Sequence, residues 1–257
     1  MEETWEPDWF LKGRMPAFVG YGTPCTTLGT PKYLWGNMPA LDTLNVKGNE
    51  GTTDALHRNF DLLFAATGDL RNVIKSIVGL PDGYTGECVA VLNDMNFLIV
   101  ARNAIMLLIA LHLDPNTAVP TIMHLWYSAF LPSAMVVVME NKILPLIQDV
   151  CDKIKSRRDD SLQANTFNIH GRKLRLVLRK VDWYKLAKLC KMPEGATAEE
   201  AQAARRGIIL APERVDYRDR GMLHLPKAVR QGEMHFLDTG VLLPYGCAAT
   251  ASLVPNP

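Results

Sequence analysis

Hydrophobic and polar positions settle into regular rhythms from Asn59 onward. Phe60, Leu62, Leu63, Phe64, Ala65 and Ala66 form a short apolar run ending at Thr67-Gly68-Asp69, the pattern of a buried strand and its turn. Over residues 70–78 the period changes to that of a helix. Leu70, Val73, Ile74 and Ile77 share one stripe, and Gly79, Pro81 and Gly83 stop it. A second apolar strand at 88–92 runs into Asn93-Asp94, and 97–113 predicts a long, mostly apolar helix ending at Asp114-Pro115. Strand, helix, strand, helix with short connections is the rhythm of a parallel sheet covered by helices.

Further along, residues 117–157 predict at least two helical pieces broken around Pro132, with a polar, exposed end at 153–160. Alternation over 166–178 around His170-Gly171 predicts a hairpin. Residues 183–191 and 198–206 read as short amphipathic helices, and 208–210 and 241–243 as strands. Asp216, Arg218 and Arg220 are expected on one face of another strand, as an ion-pair network or an anion clamp. Before residue 50, Pro7, Pro16, Pro24, Pro31 and Pro39 recur too often for regular structure. Trp5, Trp9, Phe10, Phe18 and Trp35 are too apolar for a solvated tail. The expected fold is α/β: a Rossmann-like parallel sheet with helices on both faces. Its domain occupies 51–257, with a helical insertion at about 117–160, behind an irregular segment at 1–50 that wraps over it.

Composition narrows the functional classes. Apolar residues make up 48% and charged residues 21%, which supports a real core. A net charge of +1 supplies no global field for nucleic acid or an anionic membrane. The longest apolar run, 104–111, is eight residues, against roughly 20 for a membrane span. The five cysteines form no Cys-x-x-Cys pair, so neither a disulfide framework nor a metal site is expected. Free thiols and the lack of a secretory signal pattern point to the cytoplasm.

Candidate chemistry gathers at the predicted strand ends, where open parallel sheets bind ligands. Thr67, Gly68, Asp69 and Arg71 lie between strand and helix, and Gly68 permits close backbone approach. Asn93 and Asp94 end the next strand, with Asp94 26 positions after Gly68, near the spacing at which dinucleotide folds place a ribose-binding carboxylate. Both acids have a structural alternative, as caps of the helices beginning at Leu70 and near Met95. Arg71, a cation in a first helical turn, needs an anionic partner, and Asp94 is the expected one. Arg102 and Asn103 interrupt an apolar helix and are similarly suggestive. His124 reads as packed rather than catalytic.

Residues 33–42, 62–72, Asn93-Asp94 and Ala101-Arg102-Asn103 resemble a domain of unknown function. That domain is abundant in fungal proteins, some bearing MYND zinc fingers, and forms the amino-terminal part of dynein axonemal assembly factor 3. Residues 124–128, 216–220 and 239–246 resemble later blocks of the fungal members. The resemblance implies a methyltransferase-like Rossmann core with no agreed catalytic residues. This chain has no MYND-type Cys/His cluster, so a zinc-finger role does not transfer.

Two functional expectations follow. One is a transferase using S-adenosylmethionine, with Gly68 near the methionyl moiety and Asp94 on the ribose. The other is a non-catalytic interaction or assembly module with a protein partner. A nucleotide- or aminoacyl-tRNA-using transferase is a distant third. It leans on the nine Lys and Arg against two Asp in 153–180, and on Lys185, Lys188 and Lys191 along one helix face. A solvated face is the expected reading of those cations, with no nucleic-acid partner.

Overall fold

The computed structural model describes residues 5–19, 36, 38–192, 195, 197–242 and 253–256. In chain order, α1 (Asp8–Leu11) and α2 (Thr52–Ala55) precede β1 (Phe60–Ala65), α3 (Arg71–Val78), β2 (Cys88–Asn93) and α4 (Phe97–His112). Then come α5 (Pro115–Tyr127), β3 (Phe130–Pro132) and α6 (Ser133–Val138). A π-helical turn at Met139–Ile143 joins α6 to α7 (Leu144–Lys153). The hairpin β4 (Leu162–Ile169) and β5 (Arg172–Arg179) leads into α8 (Lys180–Lys188). The chain continues through α9 (Ala198–Ile209), α10 (Val215–Met222), α11 (Lys227–Thr239) and β6 (Leu253–Pro255). About half of the described residues are helical and the sheets are small, so the class is mixed α/β.

Strands β1 and β2 pair in parallel, from Phe60 opposite Cys88 to Ala65 opposite Asn93. Among the described residues they are the whole parallel sheet; β3–β6 and β4–β5 are antiparallel pairs. Among the described residues there is no larger parallel sheet, and two expected strands are absent from them. Ile208 and Ile209 end α9, launched by a capping box between Thr197 and Glu200, with Leu210 as its carboxyl cap. Val241 and Leu242 follow the left-handed Gly240 that stops α11 and lie outside any strand; Leu243 is outside the described residues. Asp216, Arg218 and Arg220 sit in α10, entered through Pro212, so residues two apart point to different sides rather than sharing a face.

The chain divides into two compact units. One comprises Lys32–Asp114 and Leu146–Ala187 and holds the βαβ element. Its helix α4 is apolar on all sides, with Ile99, Ala101, Ala104, Ile105, Met106, Leu108 and Ile109 buried. The hairpin turns on His170 and Gly171, both at positive φ (47° and 78°), as a two-residue type I′ turn requires. Its inner face buries Phe167 and Ile169, and the fully buried Trp183 of α8 donates from Nε1 to the Gln163 carbonyl at 3.1 Å. A smaller cluster of Leu44, Val46, Ala55 and Phe60 closes the amino-terminal end of β1.

The other unit comprises Met1–Pro31, Pro115–Pro145 and Lys188–Pro257. One carboxylate ties its amino-terminal segment down. Buried Asp216 accepts from Arg14 Nη1 at 2.7 Å, Arg14 Nη2 at 2.5 Å and the Ala17 amide at 2.6 Å. Trp9, Phe18 and Tyr217 meet edge to face, and Arg220 and Arg230 lie over Phe18 and Trp5. Trp35 falls outside the described residues. Hydrogen bonds from Arg14 hold the Asp216 carboxyl below the ordinary carboxylate range, and Arg14 and Lys12 do the same to Asp8. A carboxyl lowered in the folded state contributes stability that is complete above its unfolded value of about 4 and is lost as pH falls through the lower folded value. Acidification below about pH 4 is therefore expected to release this segment, read as a change in Trp5 and Trp9 fluorescence. Asp216→Asn is expected to produce the same change at neutral pH.

Candidate strand-end site

The parallel register brings the six predicted site residues into two adjoining groups. Thr67 bridges the strand ends: its amide donates to the Asn93 carbonyl at 3.0 Å, its hydroxyl to the Phe64 carbonyl at 2.6 Å, and the Asn93 amide donates to that hydroxyl at 3.2 Å. Asp94 closes the group, accepting from the Gly68 amide at 2.9 Å through one oxygen and from the Asn96 amide at 2.8 Å through the other. Asn96, not Asp94, caps α4, its side chain accepting from the Leu98 amide. Gly68 has φ +59°, and a Cβ there would meet open space. Conformation, not packing, makes this position a glycine.

Asp69 and Arg71 form the second group. Asp69 is buried and accepts from the Gly36 amide at 2.6 Å, the Arg71 amide at 3.0 Å and Arg71 Nε at 2.8 Å. The anionic partner of Arg71 is thus Asp69, not Asp94, because the guanidinium folds back over its own turn. Its Nη1 also donates to the Met38 carbonyl, and a Cβ at Gly36 would collide with the guanidinium. The Leu41 amide donates to Asn72 Oδ1, and the Thr43 amide to Ser76 Oγ. This row of contacts sews the chain at 36–43 onto α3. Gly36, Met38, Leu41 and Thr43 are thereby joined to the loop after β1 and to α3, although the two stretches are separate blocks in the sequence.

Asn103 completes the first group. It is buried on α4 and donates from Nδ2 to the Gly68 carbonyl at 2.7 Å, while its Oδ1 has no hydrogen-bond partner. Sequence reasoning singled out Asn103 as a polar break in an apolar helix but not its contact with Gly68. A cleft of about 570 Å³ lies elsewhere, at the carboxyl end of α3, among Asp42, Lys47, Thr52, Thr53, Lys75 and Asp82. None of the six predicted residues lines it, and α3, about 12 Å long, separates the two places.

Away from this site, burial shifts one histidine and three thiols. Burial lowers the pKa of His124, whose Nδ1 pairs with Ser128 Oγ at 3.0 Å. Burial raises the thiols of Cys88 and Cys151 and pushes Cys190 up to about 12. Among the described residues no group of three His, Cys, Asp or Glu side chains is placed to hold a metal ion. No described helix is long and apolar enough to cross a membrane.

Residues 34–131 match a family described as a domain of unknown function, DUF4470. No curated protein and no solved structure matches the chain.

Proposed function

We propose that the Gly68 loop is the binding site of a nucleoside-bearing cofactor, S-adenosylmethionine, on a Rossmann-like, methyltransferase-like βαβ element. The observation that carries this reading is the buried Oδ1 of Asn103, an acceptor without a donor beside a glycine that faces open space. An unsatisfied buried acceptor costs about 1–3 kcal/mol, so a ligand N–H or O–H there gains what the protein lacks. Asp94 keeps lone pairs after its two backbone bonds and accepts ribose hydroxyls. Asn93 is exposed at the same strand end. Thr67, Asp69 and Arg71 hold the loop in shape through bonds of their own. The cofactor supplies an electrophilic methyl group; the chain's residues bind and orient it.

Calorimetric titration with S-adenosylmethionine and S-adenosylhomocysteine tests the site. Micromolar binding is expected, weakened about tenfold or more by Asn103→Leu and by Asp94→Ala, the equivalent of about 1.4 kcal/mol. Absence of heat from either ligand rejects the cofactor reading.

A second reading, an assembly module, is favoured by one face of the parallel pair. Leu63 is 70% exposed and Val91, its partner in register, 52%, whereas parallel sheets are ordinarily buried on both faces. The resemblance of its motifs to the amino-terminal part of dynein axonemal assembly factor 3 points the same way. A concentration-dependent mass in sedimentation, abolished by Leu63→Lys, together with no cofactor heat, is the outcome this reading requires.

A further inference from the structure

The hairpin β4–β5 presents a cationic face that neither functional reading uses. No acidic residue occurs anywhere between Ser161 and Val181, a stretch that holds Arg172, Lys173, Arg175, Arg179 and Lys180. Alternation along β5 turns Leu174, Leu176 and Leu178 inward and leaves Lys173, Arg175, Val177 and Arg179 exposed. Asn168 stands opposite Lys173 and Thr166 opposite Arg175, so the solvent face beside these cations carries hydrogen-bonding side chains. Arg172, on the opposite face in register with Ile169, and His170 are both exposed at the turn, so the tip carries a cation on each side.

The two ends of this ribbon differ. At its base the cations are neutralised: Arg179 and Lys185 pair with Asp182 at 2.7 and 3.1 Å, and Lys180 with Asp159 at 3.0 Å. At its tip Arg172, Lys173 and Arg175 have no acid within ion-pair distance among the described residues. A strand repeats its side chains on one face about every 7 Å, so Lys173 and Arg175 repel one another with nothing between them. An ordinary solvated surface intersperses both signs. The tip carries one sign only.

We propose that the tip of the β4–β5 hairpin docks on duplex DNA, with Arg172, Lys173 and Arg175 on phosphates. Three features select this occupant. A two-stranded antiparallel ribbon fits the major groove, roughly 12 Å wide. The exposed face has no aromatic residue, so it offers single strands no stacking platform. Its exposed apolar residues, Leu162, Ala164 and Val177, lie toward the base, leaving the tip without a side chain to insert into a bilayer. Arginine forks and a lysine match phosphate oxygens, while Asn168 and Thr166 reach hydrogen-bonding groups beside them. Cations gathered at one ribbon tip position a protein on DNA with little sequence preference. The inference is independent of the cofactor reading.

Fluorescence anisotropy of the full chain with a labelled 20-base-pair duplex tests it. For three phosphate contacts, affinity falls with a log–log salt slope of about −2.7, so a fourfold rise in salt weakens binding about 40-fold. Each of Arg172→Gln, Lys173→Gln and Arg175→Gln is expected to reduce that slope by about 0.9, and the triple variant to lose binding. Arg175→Lys retains it. All these side chains are exposed, and an unchanged circular dichroism spectrum and Tm exclude misfolding as the cause. No binding at 50 mM salt overturns the proposal, as does a slope unchanged in the triple variant. Tighter binding of a single strand, of phosphatidylserine vesicles or of poly-glutamate assigns the face to that partner instead and likewise overturns it.

Discussion

Asp69→Ala is expected to destabilise the unit containing β1, α3 and β2 by about 3 kcal/mol. The carboxylate is 6% exposed and engages the Gly36 amide, the Arg71 amide and Arg71 Nε. Its removal leaves two backbone donors without an acceptor and a guanidinium, itself only 22% exposed, without its counter-charge. Breaking one half of such a pair costs more than the pair contributes, because the remaining charge stays desolvated. Arg71→Met should cost less, since Asp69 still accepts from two amides. Asp94→Ala should cost about 1 kcal/mol, because Asp94 is half-exposed and water can replace it. Urea unfolding should show a lower midpoint and an unchanged m-value for Asp69→Ala. A loss below about 0.5 kcal/mol would remove the clasp from this account and return Asp69 to the candidate ligand contacts.

Legibility in the sequence tracked distance along the chain. The periods at 60–66, 70–78, 88–92 and 97–113 are local, and β1, α3, β2 and α4 follow them within a residue or two. His170-Gly171 carries its own turn chemistry, so the hairpin was equally readable. Contacts between distant residues were not. The partner of Arg71 depends on which way its side chain folds, and the sewing of 36–43 onto α3 joins residues about 33 positions apart. The alternating charges at 216–220 suit a strand locally. Asp216 instead serves Arg14, some 200 residues away, from a helix entered through Pro212. An apolar run such as 60–66 announces burial on both faces, yet Leu63, Val89 and Val91 leave one face open. The orphaned Oδ1 of Asn103 is visible only once its Nδ2 is placed on the Gly68 carbonyl.

Trp183→Ala is expected to be the most damaging single change in that unit, at about 3–5 kcal/mol. The indole is fully buried, its ring stands 6.4 Å from Phe167, and its N–H satisfies the Gln163 carbonyl on β4. It therefore joins α8 to the inner face of the hairpin by packing and by a hydrogen bond at once. An isolated two-stranded hairpin is marginal in water, so β4–β5 holds its shape only while that inner face is covered. Trp183→Phe keeps most of the buried area, removes the donor and is expected to cost about 1–2 kcal/mol. The ordering Ala worse than Phe, read from urea midpoints, tests whether volume or the hydrogen bond dominates. A greater loss in Trp183→Phe than in Trp183→Ala would reverse that assignment. The same pair of variants bears on the cationic tip. Trp183→Phe leaves Arg172, Lys173 and Arg175 on an ordered ribbon and should keep duplex binding. Trp183→Ala removes the platform and should lose binding although every cation remains, because the proposed contact needs the charges at fixed strand spacing as well as their number.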